Sequence, residues 1–375
     1  MRATRSRKHA EVFAALSRDI RSGRWKQGER LPSEAELVAT FGVSRITATR
    51  AMRDLQAAGL VERRAGSGTY VRTRRAGSSL SLGLLIPDLG ETEIFEPICQ
   101  GMMASPLAGQ HALLWGNTSG SAGPKTPERS KAECAWHLCR QYIERKVAGV
   151  FFAPLELSPD KDEMNLRIDR ALGDARIPMV LLDRPLLPYP ERGHHDLVGI
   201  DNRRAGYVMT EHLLQLGCRR ILFVSVANAA PTVEERAAGY REALYVRNAA
   251  FDRAYIHKLN PDDEEAVKEL MTSQRPDGIV CANDRTAGRL LHSLRRLEYR
   301  VPQDIRLVGI DDAGYANLLP VPLTTLRQPT REIGDAAIGL MLERIARPDL
   351  PPRDIRLNCE LVVRESCGAS TQRSR

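Results

Sequence analysis

Two groups of residues in this sequence have the types and spacing to do chemistry. The first is local: Ser44, Arg45, Thr47 and Arg50 share one short stretch, with Ser33 before it and Gly66, Ser67 and Gly68 after it. Arginine can grip guanine edges or phosphates, hydroxyls and glycine amides can meet phosphates, and a threonine methyl can approach thymine. The second group is dispersed: Asp183, Arg236, Asp284 and Phe95. A carboxylate accepting from two adjacent hydroxyls, opposed by a forked guanidinium, is a natural way to orient a polyhydroxylated small molecule. Phe95 would add an apolar or stacking wall.

The first group needs a scaffold that presents one helix, and the sequence around it supplies the signals. Val12, Phe13, Leu16 and Ile20 fall at helical spacing and end at Gly23. Ser33-Glu34-Ala35-Glu36 reads as a capping box opening a second helix to about Phe41, which Gly42 ends by permitting a positive φ. Ser44 can cap a third helix, residues 45–58, with Ala48, Ala51, Met52 and Leu55 facing inward and Arg45, Thr47 and Arg50 outward. Residues 60–64 and 69–72 alternate as strands around Ala65-Gly66-Ser67-Gly68. Short helix, glycine turn, longer helix and hairpin predict a winged helix-turn-helix.

Charge supports that reading. The chain of 375 residues carries a formal +8, yet residues 1–75 alone hold 17 Lys and Arg against 7 Asp and Glu, so the remainder is slightly acidic. A basic excess confined to one end suggests a nucleic-acid-binding end on an otherwise neutral protein. The seven cysteines are odd in number and scattered, which argues against a disulfide framework. Cys134, His137 and Cys139 are the one local cluster, and their neighbourhood lacks the further ligands a metal site needs. No stretch approaches the roughly 20 apolar residues of a membrane span, and MRATRSRKHAEVF is basic without a signal-peptide core, so a cytoplasmic location is expected.

The second group needs strand ends. Residues 76–79 lie in a short polar linker, and from Leu82 apolar runs alternate with amphipathic helices. The runs are 82–86, 112–115, 149–152, 178–182, 221–224, 278–281 and 306–310; the helices include 128–146, 203–216, 234–247, 262–274 and 283–297. Such alternation predicts α/β architecture, with parallel sheets covered on both faces. Ligands of such sheets bind beyond the carboxyl ends of the strands. Asp183 follows PMVLL and Asp284 follows GIVCAN, while Arg236 can supply the opposing donor. Other roles stay open: Asp284 as a helix cap, Arg236 on a helix surface, Asp183 paired with Arg184, Phe95 in the core. Asp201-Asn202 is read mainly as a cap for the helix that follows.

Residues 9–72, with GERLPSEAELVATFGVSRITATRAMRDLQAAGLVERRAGSGTYV at their heart, resemble the GntR-family winged helix almost without gaps. Members of that family usually carry Arg directly after LPSE, where this chain has Ala35, so no operator sequence can be borrowed. VAGVFF, IPMVLLDRPL, LVGIDNRRAGYVMTEHLLQLGCRRILFVS, DGIVCANDRTAGRLL, DIRLVGIDD and LTTLRQPTREIGDAAIGLML resemble, in order and spacing, the sugar-binding domain of LacI-family repressors. The fusion is similar to the arabinose repressor class. The resemblance implies a DNA-binding unit at 1–75, a two-lobed, doubly wound, periplasmic-binding-protein-like domain at 80–367, and a polar tail at 368–375. It also implies ligand contact at Asp183, Arg236 and Asp284, homodimerisation through the larger domain, double-stranded operator DNA and a sugar-like effector as partners, and no cofactor.

The alternative is an enzyme on the same scaffold, since fold alone does not settle function. There is no GxGxxG after the first strand, no GxxxxGK[ST] loop and no GxSxG elbow, and His194-His195 have no partner identifiable from sequence. A periplasmic solute-binding protein would share the larger fold, but not an attached DNA reader. The expected function is a transcriptional regulator, by default a repressor released by its effector.

Overall fold

The computed structural model describes residues 2–21, 24–26, 28–57, 60–64, 67–71, 79–87, 93–116, 130–249, 252 and 255–369. The chain divides into two units, Met1–Ser79 and Leu80–Arg375.

In the first unit, α1 (Arg2–Arg21), α2 (Glu34–Phe41) and α3 (Arg45–Ala57) precede a hairpin of β1 (Val61–Arg64) and β2 (Gly68–Val71). The capping box forms: Ser33 Oγ accepts from the Glu36 amide at 3.3 Å, and Glu36 Oε2 accepts from the Ser33 amide at 2.7 Å. Gly42 ends α2 at φ 60°, turning the chain into α3. Val12, Leu16, Leu37, Ala48, Ala51 and Leu55 form the core, and the hairpin closes over it in the register Val61 to Val71.

The second unit contains two parallel sheets. One has six strands, in the spatial order Asp354–Leu357, Asp196–Ile200, Met179–Leu182, Gly149–Phe152, Ser81–Leu85 and Ala112–Trp115, and the other has four, Arg306–Val308, Gly278–Cys281, Ile221–Ser225 and Ile256–Lys258. In the first lobe β3 (Ser81–Leu85), β4 (Ala112–Trp115), β5 (Gly149–Phe152), β6 (Met179–Leu182) and β7 (Asp196–Ile200) alternate with α4 (Phe95–Ala104), α5 (Lys131–Glu144) and α6 (Lys161–Asp174). The second lobe holds α7 (Asn202–Gln215), β8 (Ile221–Ser225), α8 (Pro231–Val246), β9 (Ile256–Lys258), α9 (Glu264–Gln274), β10 (Gly278–Cys281), α10 (Asp284–Arg296) and β11 (Arg306–Val308). Every residue of β5, β6 and β10 is buried, as expected of strands covered on both faces.

The chain returns to the first lobe after β12 (Thr325–Arg327) through α11 (Thr330–Ala346) and β13 (Asp354–Leu357), then leaves it for β14 (Glu360–Val362), antiparallel to β12. Asp196 fixes that return: its buried carboxylate receives Arg344 Nε at 2.8 Å, Arg344 Nη2 at 3.0 Å and the Arg353 amide at 2.8 Å. Helices α7 and α8 cross in backbone contact. A Cβ at Gly206 would lie 1.9 Å from the Arg236 carbonyl oxygen, so only glycine permits the approach that sets α8 against α7.

Candidate functional site

On the first unit, the arginines stand where the sequence predicts. Arg45 and Arg50 are exposed on α3, the Arg45 side chain at 85%, and Arg45 Nε lies 4.0 Å from Glu34 Oε2. Thr47 does not join them. It is 9% exposed, and its hydroxyl lies 2.9 Å from Ser44 Oγ, which also accepts from the Thr47 amide at 3.3 Å. The expectation of an outward Thr47 is corrected by helical geometry: residues 47, 51 and 55 share one stripe, and Ala51 and Leu55 are core.

Ser33 and Ser44 are both occupied as caps, which positions the first turns of α2 and α3. In the hairpin, Ser67 Oγ lies 2.6 Å from Tyr70 Oη, and Gly68 adopts φ 124°, its missing Cβ leaving room for the Arg30 guanidinium. Gly66 lies outside the described residues, as do residues 76–78 of the linker and 370–375 of the tail.

In the second unit, a cavity of about 360 Å³ opens at the carboxyl ends of the strands of both lobes. Glu93, Glu156 and Leu157 line it from the first lobe; Lys258, Asn283, Arg285 and Asp311 are among those lining it from the second. Its volume suits a small polar ligand. The cations at its rim are largely engaged: Lys258 Nζ donates to Glu234 at 2.7 Å, and Arg289 Nε donates to Asp262 at 2.9 Å.

The predicted residues converge beneath this cavity rather than on its surface. Arg236 is buried, donating to Asn202 Oδ1 at 2.8 Å and to the Ala282 carbonyl at 2.6 Å, with Nη2 3.7 Å from Asp311 Oδ1. It is therefore not on a helix surface. Asp183 is 6% exposed at φ 67°, with Oδ2 3.3 Å from Arg184 Nε and Oδ1 without a hydrogen-bond partner among the described residues. Burial raises its carboxyl, against the pull of Arg184 and Arg236.

Asp284 is turned into the fold: it accepts from Thr325 Oγ1 at 2.6 Å and the Ala313 amide at 2.9 Å. The cap of α10 is Asn283, whose Oδ1 accepts from the Thr286 amide at 2.9 Å. Phe95 opens α4 and is fully buried, with the Arg184 guanidinium 5.3 Å from its ring centroid. Asp201 caps α7 by accepting from the Arg204 amide at 3.0 Å.

The sequence reading selected none of the residues that line the cavity, and three of them stand at strand ends. Asp311 follows β11, Asn283 follows β10 and Glu156 lies in the loop after β5, so the strand-end rule that selected Asp183 would have selected these too. Burial raises the Asp311 carboxyl, opposed by Arg236, while Gln328 Nε2 donates to Asp311 Oδ1 at 2.7 Å. Burial would raise Glu156 as well, but the Arg184 guanidinium, 2.5 Å away, outweighs it and holds that carboxyl low. The cavity thus offers carboxylate acceptors, cationic donors and neutral amides.

A reader of DNA and a two-lobed small-molecule binder define the class: a DNA-binding transcriptional regulator controlled by a small molecule. Comparison with known proteins agrees. Residues 8–71 match bacterial regulatory proteins of the gntR family, and residues 210–367 match the periplasmic binding protein-like domain. An arabinose metabolism transcriptional repressor of Geobacillus stearothermophilus is 26% identical over 92% of this chain and 94% of its own length. A transcriptional repressor PurR of Vibrio campbellii is 27% identical over 79% of this chain and 83% of its own. Among solved structures, the regulator CcpA of Lactococcus lactis superposes with TM-score 0.63 at 21% identity, covering 77% of this chain and 99% of that one. The regulator CelR in complex with cellobiose superposes at TM-score 0.62 and 24% identity, covering 90% and 100%. The chain thus joins a winged helix-turn-helix similar to that of gntR-family regulators to a body similar to the periplasmic binding protein-like domain.

Proposed function

We propose that this chain is a cytoplasmic, homodimeric repressor that releases a palindromic operator when a neutral sugar enters the cleft of its larger unit. The observation that carries this reading is the cavity lined by polar side chains from both lobes, with Asp311 and Asn283 facing Glu93 and Glu156. A ligand bridging such a cleft favours the closed arrangement only through its differential affinity for that state. Asp311 would contact the sugar; Asp183 and Arg236 would support it from below and meet the ligand as the lobes move; Asp284 would brace the loop that presents Asp311. Arg45 and Arg50 would grip bases or phosphates, with Ser67 and Gly68 at the neighbouring backbone. The relatives support the sugar: one neighbour holds cellobiose and another, a LacI-family regulator of Enterococcus faecium, holds ribose. Trp115, exposed on the sheet-edge strand β4, with Met103 and Leu107, supports a self-contact through the first lobe.

The test is a thermal-shift screen of the full chain against neutral pentoses, hexoses and disaccharides, followed by operator binding with and without any sugar that stabilises it. A stabilising sugar that weakens operator binding is expected, and operator DNA should weaken sugar binding by the same factor. Stabilisation only by phosphorylated or non-sugar ligands would overturn the sugar assignment. A monomer in light scattering at tens of micromolar would overturn the dimer.

A further inference from the structure

The outward face of α3 carries one group that no hydrogen bond to DNA explains. Ile46 is 79% exposed, against 37% for Phe41, the next large hydrophobic residue exposed among the described residues of this unit. It sits in the first turn of the helix, beside Arg45 and one turn before Arg50. Residues 46, 50 and 53 form a single stripe at i, i+4 and i+7, so Ile46, Arg50 and Arg53 project from the same side. The other residues of this turn with a methyl, Thr47 and Ala48, are buried, Thr47 against Ser44 and Ala48 in the core. The Thr49 hydroxyl is satisfied by the Arg45 carbonyl at 2.9 Å. The apolar reach of the first turn therefore belongs to Ile46.

The chemistry of the partner follows from the chemistry of DNA. In the major groove the base edges present hydrogen-bond donors and acceptors, and a single apolar group, the C5-methyl of thymine. A branched aliphatic side chain placed over a donor or acceptor strips water from it without replacing the bond. Placed over a methyl, it removes apolar surface on both sides from water. We propose that Ile46 reads the C5-methyl of one thymine in each half-site, next to the bases or phosphates held by Arg45 and Arg50, and so sets specificity where the arginines set grip.

The experiment uses the full chain and a duplex selected by it from a random-sequence pool. Each thymine of that duplex is replaced in turn by deoxyuridine, which deletes the methyl and leaves every hydrogen-bonding group. One thymine per half-site should show a loss of about four- to tenfold in wild-type affinity. Ile46→Ala should lose a similar factor on the parent duplex and lose nothing further on the deoxyuridine duplex, while Ile46→Val keeps part of the affinity. The salt dependence of binding should stay the same in Ile46→Ala, because no phosphate contact is removed. Arg45→Ala is the comparison: it should weaken binding on both duplexes alike, and its failure to do so would count against the reader as a whole. Full affinity of Ile46→Ala on the parent duplex would overturn the proposal. So would losses from Ile46→Ala and from deoxyuridine that multiply at every thymine.

Discussion

The carboxylate of Glu156 accepts a hydrogen bond from the main-chain amide of Ala230 at 3.2 Å, so an acid of the first lobe caps the N-terminus of α8 in the second. The favourable interaction of a carboxylate with a helix N-terminus strengthens that link. Beside it the Leu157 amide donates to the Asn228 carbonyl at 2.8 Å. The same carboxylate lies against Arg184, whose side chain is almost completely buried. Replacing Glu156 with Ala removes a buried partner, and a loss of about 3–5 kcal/mol is expected. Glu156→Gln keeps an acceptor for Ala230 and should lose less. Thermal unfolding of the two variants decides this, and equal stability of Glu156→Ala and wild type would remove the carboxylate from any bridging role.

Asp284 is expected to act on stability first. Its oxygens satisfy Thr325 and the Ala313 amide in a buried setting. Asp284→Ala should therefore lower the stability of the unliganded chain by roughly 2–4 kcal/mol. An unchanged melting temperature, with sugar response lost, would make Asp284 a ligand contact instead.

Asp183 should behave in the opposite way. One of its oxygens has no hydrogen-bond partner among the described residues, and burial already disfavours its charge. Asp183→Asn should change unliganded stability by less than about 1 kcal/mol, yet reduce the stabilisation given by whichever neutral sugar protects the wild type. A full ligand response in this variant would exclude Asp183 from the site.

Asp311 gives the molecule a pH signature. Burial pushes its carboxyl up to about 8. A carboxyl that keeps its proton in the folded chain but loses it in the unfolded chain contributes stability that disappears as pH rises from the ordinary carboxylate range to that value. Asp311→Asn cannot ionise, so it should gain stability relative to wild type between about pH 5 and about pH 8.5. Paired melting curves at both ends of that window test the sign; a difference that stays constant would show the carboxylate already ionised at the lower pH.

Helix α8 depends on its contact with α7. Gly206→Ala forces a Cβ against the Arg236 carbonyl, and a cost of about 1–3 kcal/mol or more is expected. Gly173→Ala, in α6 with nothing within 4 Å of its new Cβ, should instead stabilise by up to about 1 kcal/mol. Chemical denaturation of both variants reads the contrast, and similar effects at the two sites would contradict the close crossing.

Much of this was legible because periodicity and punctuation are local. The apolar runs at 112–115, 149–152 and 278–281 coincide with β4, β5 and β10, and Ser33, Gly42 and Ser44 stand where α2 and α3 start or end. The short strands β9, β12 and β14 were not legible, because each offers only one or two apolar residues, whereas the equally short β11 lies in the longer run at 306–310. The site was legible to the level of strand ends and no further. Which member of a strand-end pair turns outward depends on tertiary partners: Asp284 found Thr325 and turned in, while its neighbour Asn283 lines the cavity. Thr47 was misplaced for a plainer reason, since its stripe was already visible in Ala51 and Leu55.

The edge strand β13 has a consequence for how the protein is made. The sheet that begins with β3 at Ser81 is completed by Asp354–Leu357, which pairs with Leu197–Ile200. Until that late segment leaves the ribosome, β7 lacks its outer partner and Asp196 lacks both Arg344 and the Arg353 amide. Domains made first fold first. The DNA-reading unit is therefore finished while its sensor is still unsealed, and a message cut short between the two would release a reader that no effector can govern.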